Sequence, residues 1–367
     1  MAKTPVSEEQ PAPQQIRVSV GTAIVLGLLE GKLDAEPTTV YLMTYKAGKC
    51  TANCGFCPQA KTSHSKAELL SRVSWPAFAA SSVIGKIGNA IESGKIKRVC
   101  IQTLNYPQAF SDLCTFVKAL KQQVSMPVSV SCQPLNSQNM WLLSKAGADR
   151  IGIALDAATE KLFEKVKGAA AGGPYSWQNE FLLLRTAIGV FGEGNVSTHL
   201  IVGLGETEKE AVNLLQQCVN MGVLPALFAF TPVHGTALEG NPKPQVEAYR
   251  RVQLARFLIL NALARFEDMI FNSAGQLVDF GVGKETLLEA VESGMPFLTS
   301  GCRDCNRPFY NEQPSGPIYN YPRKLKTEEI TQIKQQLKQL LSLRNKKNRE
   351  ETYVVTGVNA LPPPSPG

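Results

Sequence analysis

Six short β-branched runs punctuate this chain: TTVYLMTY (38–45), IKRVCIQTL (96–104), MPVSVSC (126–132), DRIGIAL (149–155), NVSTHLIVG (195–203) and LPALFAF (224–230). Amphipathic helical stretches separate them. Strands that alternate with helices pair in parallel, because a parallel connection needs a crossover long enough to cover the sheet. No GxGxxG turn opens the first helix, so the rhythm predicts an α/β chain folded as a TIM-like (β/α) barrel or partial barrel, and not a doubly wound sheet. Ligands should then gather at the C-terminal ends of the strands. Residues 325–344 read as a closing helix, with Ile330, Ile333, Leu337, Leu340 and Leu341 spaced as a core-facing stripe. The expected organisation is a disordered tail over residues 1–15, one barrel over 16–322 that includes a late CxxC loop, a closing helix over 323–345, and a disordered basic, Pro-rich tail over 346–367. There is no internal repeat and no second domain.

At 367 residues, 44% hydrophobic and 19% charged, the chain can bury a large core. No apolar run reaches the ~18 residues that a membrane span needs. The N-terminal MAKTPVSEEQPAPQQ is polar and contains no apolar signal segment. A cytoplasmic location without a membrane partner is therefore expected. The formal charge of +7 owes much to Arg344, Lys346, Lys347 and Arg349, a cluster without interleaved aromatics that reads as a solvated tail, so no nucleic-acid partner is expected. Nine cysteines in a cytosolic chain point to metal ligands or catalytic groups in preference to disulfides.

Three of the nine, Cys50, Cys54 and Cys57 in KCTANCGFCPQA, follow the first strand with no fourth nearby. A metal site closed by protein alone takes four ligands, so three thiolates on a [4Fe-4S] cluster leave one iron open to an exogenous ligand. Spacing alone also admits a zinc knuckle or a chance cluster of buried cysteines.

CxxxCxxC with Phe56 before the last cysteine resembles the signature of the radical S-adenosylmethionine (SAM) superfamily. The resemblance implies that the open iron chelates the methionine moiety, and that reductive cleavage yields a 5′-deoxyadenosyl radical that takes hydrogen from an unactivated carbon. Cys50, Cys54 and Cys57 are then the catalytic cluster ligands. HLIVGLGETEKEA (199–211) resembles the fifth-strand adenine segment, with Ile201, Val202 and Gly203 as contacts and Glu206 opening the next helix. Asp156 in ALDAAT is placed to bind ribose hydroxyls or to cap a helix, and Thr231 opens TPVHGTALEG, which resembles the sixth-strand segment beside adenine. FNSAGQLVDFG (271–281) resembles a later barrel strand.

Within the superfamily the chain resembles biotin synthase, whose second, sulfur-donating cluster is held by three cysteines and an arginine. Cys100 and Cys132 match two of those cysteines, while Ser197 and Phe271 stand at the third cysteine and the arginine. In TSGCRDCNRPFYNEQPSGPIYNYPR (299–323), Cys302 and Cys305 form a CxxC expected to fold back over the barrel mouth. With Cys100 and Cys132 they would hold an auxiliary [4Fe-4S] cluster. Cys114 and Cys218 read as core residues on helices. These departures, with SRVSWPAF (71–78) and GPIYNYPR (316–323), resemble the two-component lipoyl synthases. That implies sulfur insertion into an octanoyl chain on a carrier-protein lysine, a second radical SAM subunit, and a ferredoxin or flavodoxin-type reductant. Biotin synthase is the rival within the enzyme class, and a non-catalytic iron–sulfur carrier or scaffold the rival outside it. Glu180, where biotin synthase has an arginine near the methionine carboxylate, is left without a role.

Overall fold

The computed structural model describes residues 13–133, 136–338, 340 and 341. The expected tail over 346–367 and most of that over 1–15 lie outside the described residues; Gln15 already belongs to a strand. One eight-stranded sheet organises the chain. Its strands are β1 Gln15–Val18, β2 Thr39–Thr44, β3 Ala77–Ala79, β4 Arg98–Gln102, β5 Val128–Ser131, β6 Arg150–Gly152, β7 Val196–Val202 and β8 Leu224–Ala229. They lie in the order β8-β7-β6-β5-β4-β2-β1-β3. The six expected strands pair in parallel, and β1 and β3 add an antiparallel edge beyond β2. Because β8 and β3 end the sheet without pairing, the barrel is partial, with an open side.

The connecting helices are α1 Val20–Val25, α2 Ala80–Glu92, α3 Ala109–Gln123, α4 Ser137–Ala146, α5 Glu160–Val166, α6 Trp177–Phe191 and α7 Glu208–Asn220, followed by α8 Val246–Leu260, α9 Lys284–Ser293 and α10 Thr327–Gln336. Local chemistry fixes their ends. Asn136 accepts from the Asn139 amide to start α4, and Gly147, at φ 111°, ends it in a left-handed turn open to glycine. Thr207 and Glu210 form a capping box on α7. Of the expected closing helix, Thr327–Gln336 is helical, residues 339 and 342–345 lie outside the described residues, and Ile333 and Leu337 are buried as the stripe requires.

Strand residues alternate between the helix layer and the barrel interior. Val99, Ile101, Val128, Val130, Ile151 and Leu200 pack outward in the main core. Inward, the register sets Tyr41, Cys100, Ser129 and Arg150 side by side, and nearer the C-terminal ends Met43, Gln102, Ser131, Gly152 and Ser197. Polar, small and sulfur-bearing side chains thus face a hollow instead of filling it.

Two expectations are corrected. Residues 271–281 do not form a barrel strand: Ile270–Phe271 and Leu277–Asp279 make a separate two-stranded hairpin, too short to extend the sheet. The CxxC itself does not lie over the mouth, though Tyr310 and Asn311 later in its segment reach that end. It enters at the opposite end, where Thr38 donates its amide to Asn306 Oδ1 at 3.0 Å and Arg98 reaches the Arg303 carbonyl. From there it climbs the open side. The Ser300 hydroxyl takes the Leu227 amide at 2.7 Å on β8, and the Arg307 amide reaches the Tyr41 hydroxyl at 2.7 Å on β2. Thr231 bonds the Asn311 carbonyl at 2.9 Å, and Arg72 bonds that of Glu312 at 2.7 Å. Backbone groups left unpaired at the edge of β8 are satisfied there, so the segment acts as a seam.

Candidate active site with two groups of thiols in one cavity

The hollow is a cavity of about 270 Å³ whose lining includes Cys50, Cys54 and Cys57 at one end and Cys100, Cys302 and Cys305 at the other. The first group sits at the C-terminal ends of the strands. Cys50 Sγ accepts the Asn105 amide at 3.1 Å and the Ala52 amide at 3.4 Å, which steadies a sulfur carrying negative charge. Gly55 donates to the Val166 carbonyl at 2.7 Å, and Leu238 donates to the Gly55 carbonyl, so the loop is tied to both sides of the mouth. Phe56 packs in the same small core as Leu204 and Phe230. Burial pushes the Cys54 thiol well up and that of Cys57 to about 12, with neighbouring thiols adding to both. Lys167 beside Cys54 and Lys49 beside Cys57 oppose the shift. Thiols packed this way ionise only when positive charge joins them. The donor set therefore fits a cationic iron–sulfur core.

The sequence-derived SAM contacts divide by strand parity. Ile201 faces the cavity, as do Phe56, Asp156 and Thr231. Val202, one residue on, turns into the helix layer. Glu206 does not open α7, which starts at Glu208 behind the Thr207 cap. Its carboxylate instead accepts the amides of Gly203 at 2.6 Å, Leu204 at 3.0 Å and Gly205 at 3.1 Å, holding the turn after β7. Gly203 and Glu206 stand behind the cavity wall. A Cβ on Gly203, at φ 105°, would come within 2.8 Å of the Pro244 ring.

Asp156, four residues beyond β6, bridges Leu200 with a left-handed backbone, φ 66°. Its carboxylate pairs with Lys167 Nζ at 2.8 Å, both side chains nearly sealed from solvent. Lys167 also bonds the Ala154 carbonyl and lies over the Tyr175 ring, 5.0 Å from its centroid. Desolvation opposes its charge, but Asp156, Glu180 and Cys54 hold its pKa above the ordinary lysine value. Sequence reasoning missed this ammonium, since nothing in FEKVKG separates Lys167 from its exposed neighbours. Glu180, wholly buried on α6, accepts from the Gln133 amide, and burial lifts its carboxyl to about 7 against the pull of Lys167. Glu180, left without a role by the sequence, thus lies within the field of the Lys167 ammonium.

Three of the four thiols expected at the second site converge. Cys100 points inward from β4 and meets Cys302 and Cys305 from the seam, each raising the Cys100 pKa after burial itself. Cys132 does not join them. It borders the cavity but shares the strand face of Val128 and Val130 and packs in the helix-layer core on the side of Cys114. Ser197 does face inward, while Phe271 packs on Phe266 in the outer hairpin, away from the cavity. Arg307 lies 3.8 Å above the Phe228 ring and Arg98 bonds Ser129, so two guanidiniums flank the thiols. Cys114 and Cys218 lie on α3 and α7 as expected. Among the described residues no three His, Cys, Asp or Glu side chains are close enough to hold a single metal ion. A cubane spaces its thiolates more widely than one ion does.

Residues 45–218 match the family model described as the radical SAM superfamily, and over part of its length the chain is similar to biotin synthases at low identity. Among similar proteins, an uncharacterized protein of Methanocaldococcus jannaschii is 27% identical over 225 residues, covering 59% of this chain and 57% of that protein. The biotin synthase of Prochlorococcus marinus subsp. pastoris is 25% identical over 226 residues, covering 59% and 63%. The chain thus spans about three fifths of the length of these relatives. Methylornithine synthase has the same fold, with a TM-score of 0.50 at 13% identity over 86% of this chain and 85% of that one. Among the described residues no helix is long and apolar enough to cross a membrane.

Proposed function

We propose that this chain is a radical SAM enzyme that inserts sulfur into unactivated C–H bonds. The observation that carries the reading is the placement of two thiol groups at opposite ends of one cavity, one at the strand mouths and one behind the seam. Bound to Cys50, Cys54 and Cys57, a [4Fe-4S] cluster would supply the electron that cleaves SAM and so the hydrogen-abstracting radical. Lys49 and Lys167 balance the charge of the thiolates at that end. Asp156 accepts from cofactor hydroxyls with the oxygen not committed to Lys167, and Ile201 offers an apolar edge. Cys100, Cys302 and Cys305 would hold a second cluster as sulfur source, with Arg98 and Arg307 offsetting its negative charge.

Between the two ends, Met43, Leu70, Trp75, Phe228 and Tyr310 form an apolar wall that suits a hydrocarbon chain. An octanoyl chain on a carrier-protein lysine is the proposed substrate, with a lipoyl-synthase partner subunit and a ferredoxin or flavodoxin-type reductant. The biotin synthase relatives favour dethiobiotin as the second reading. Anaerobic reconstitution and incubation with SAM, a reductant and either an octanoyl-lysyl peptide or dethiobiotin decides between them. 5′-Deoxyadenosine with a thiolated peptide is expected. Thiolation of dethiobiotin alone would reassign the substrate, and absence of 5′-deoxyadenosine with both would leave a carrier or scaffold.

A further inference from the structure

Each sulfur of the second group faces a polar side chain from a different strand. Gln102 Nε2 donates to Cys100 Sγ at 3.3 Å. The Ser129 hydroxyl stands 3.6 Å from Cys302 Sγ, and the Tyr41 hydroxyl 3.4 Å from Cys305 Sγ. Neighbouring groups orient two of the three. Arg98 Nη1 donates to the Ser129 oxygen at 3.0 Å, and the Arg307 amide donates to the Tyr41 oxygen at 2.7 Å. Both are donors only, so they occupy acceptor sites on those oxygens and leave the hydroxyl protons free to turn to sulfur.

A neutral thiol is a weak acceptor and gains little from three such donors, whereas a thiolate gains a charge-assisted bond from each. The register explains how the set arises. Tyr41, Cys100 and Ser129 are cross-strand partners in one row, and Gln102 follows Cys100 on the same face. The seam lowers Cys302 and Cys305 onto that row. Arg307, whose amide meets Tyr41, sits at φ 30°, a left-handed backbone uncommon for a non-glycine residue.

We propose that Tyr41, Ser129 and Gln102 are positioning residues that fix the three thiolates of the second group and raise the reduction potential of the iron–sulfur cluster held there, with Tyr41 the dominant member. The inference rests on the reading of Cys100, Cys302 and Cys305 as cluster ligands. Hydrogen bonds to ligand sulfur stabilise the more negative, reduced state, so their loss moves the potential down. Tyr41 dominates because a phenol is a stronger hydrogen-bond donor than an alcohol or an amide.

The test uses the full-length chain carrying Cys50→Ala, Cys54→Ala and Cys57→Ala, so that only the second group can bind iron. After anaerobic reconstitution, iron is counted and the cluster is titrated with titanium(III) citrate under EPR detection. Tyr41→Phe is expected to retain about four irons per chain. It should disfavour one-electron reduction about tenfold, a shift of 59 mV to the negative side. Ser129→Ala should shift the same way by less. A parent that binds no iron overturns the ligand reading itself. A parent that binds iron, with Tyr41→Phe at an unchanged potential, overturns the donor role alone. If Tyr41→Phe loses its iron, Ser129→Ala decides, and an unchanged potential there overturns the proposal.

Discussion

Cys50, Cys54 and Cys57 come from one loop, whereas Cys100, Cys302 and Cys305 come from a strand and a segment at the far end of the chain. The first group is local, and its spacings of four and three positions survive any detail of barrel geometry. The second is tertiary and exists only because the seam closes the open side against β2 and β8. Their surroundings differ in kind as well. The first borrows backbone amides and two lysines; the second has side-chain donors from three strands and two arginines.

The largest effect should follow from the local group. Replacing any one of Cys50, Cys54 or Cys57 with Ala should abolish 5′-deoxyadenosine formation, assayed by chromatography after reconstitution; a triple variant that still released it would remove the basis of the comparison. Next in size, Cys302→Ala with Cys305→Ala should lower iron by about four atoms per chain. SAM cleavage should continue while sulfur insertion stops. Eight retained irons would show that the two groups are not independent sites.

Glu180 gives a smaller effect on stability. Its folded-state pKa is raised from 4.5 to about 7, so the stability it contributes is present below pH 4.5 and lost as pH rises toward 7. Glu180→Gln should therefore gain on the parent by on the order of 3 kcal/mol between those limits and hold that gain above pH 7. Urea unfolding at pH 5, 6, 7 and 8 checks the slope, and a flat difference would mean that Glu180 stays ionised. The smallest effect belongs to Cys132, where Ala should leave iron content unchanged and cost about 1 kcal/mol of core packing. Loss of iron from that variant would return Cys132 to the second group.

Period-2 runs and helical spacing located all six parallel strands and the first cysteine loop, because each is written in consecutive residues. Cys132 shows what was legible and passed over. VSVSC alternates apolar and polar, which places Cys132 on the valine face, away from Cys100 and Ser129. Val202 obeys the same parity beside Ile201. The ion pair of Lys167 with Asp156 and the row that joins Tyr41, Cys100 and Ser129 were not legible, since both depend on register between segments distant in sequence. The hairpin at 270–279 misled because a strand-like run does not reveal which sheet it joins.

The seam also sets an order in time. Synthesis runs from the N-terminus, and 264 positions separate Tyr41 from Cys305. At ~5–20 residues per second, Cys305 leaves the ribosome roughly 10–50 s after β2. Once β8 has emerged, at Ala229, the barrel has one side uncovered and the cysteines of its first loop are already made. The nascent chain can thus receive metal at the strand mouths before the opposite end has a binding site at all, and the seam, when it emerges, both completes the second site and shuts the side through which it was reached.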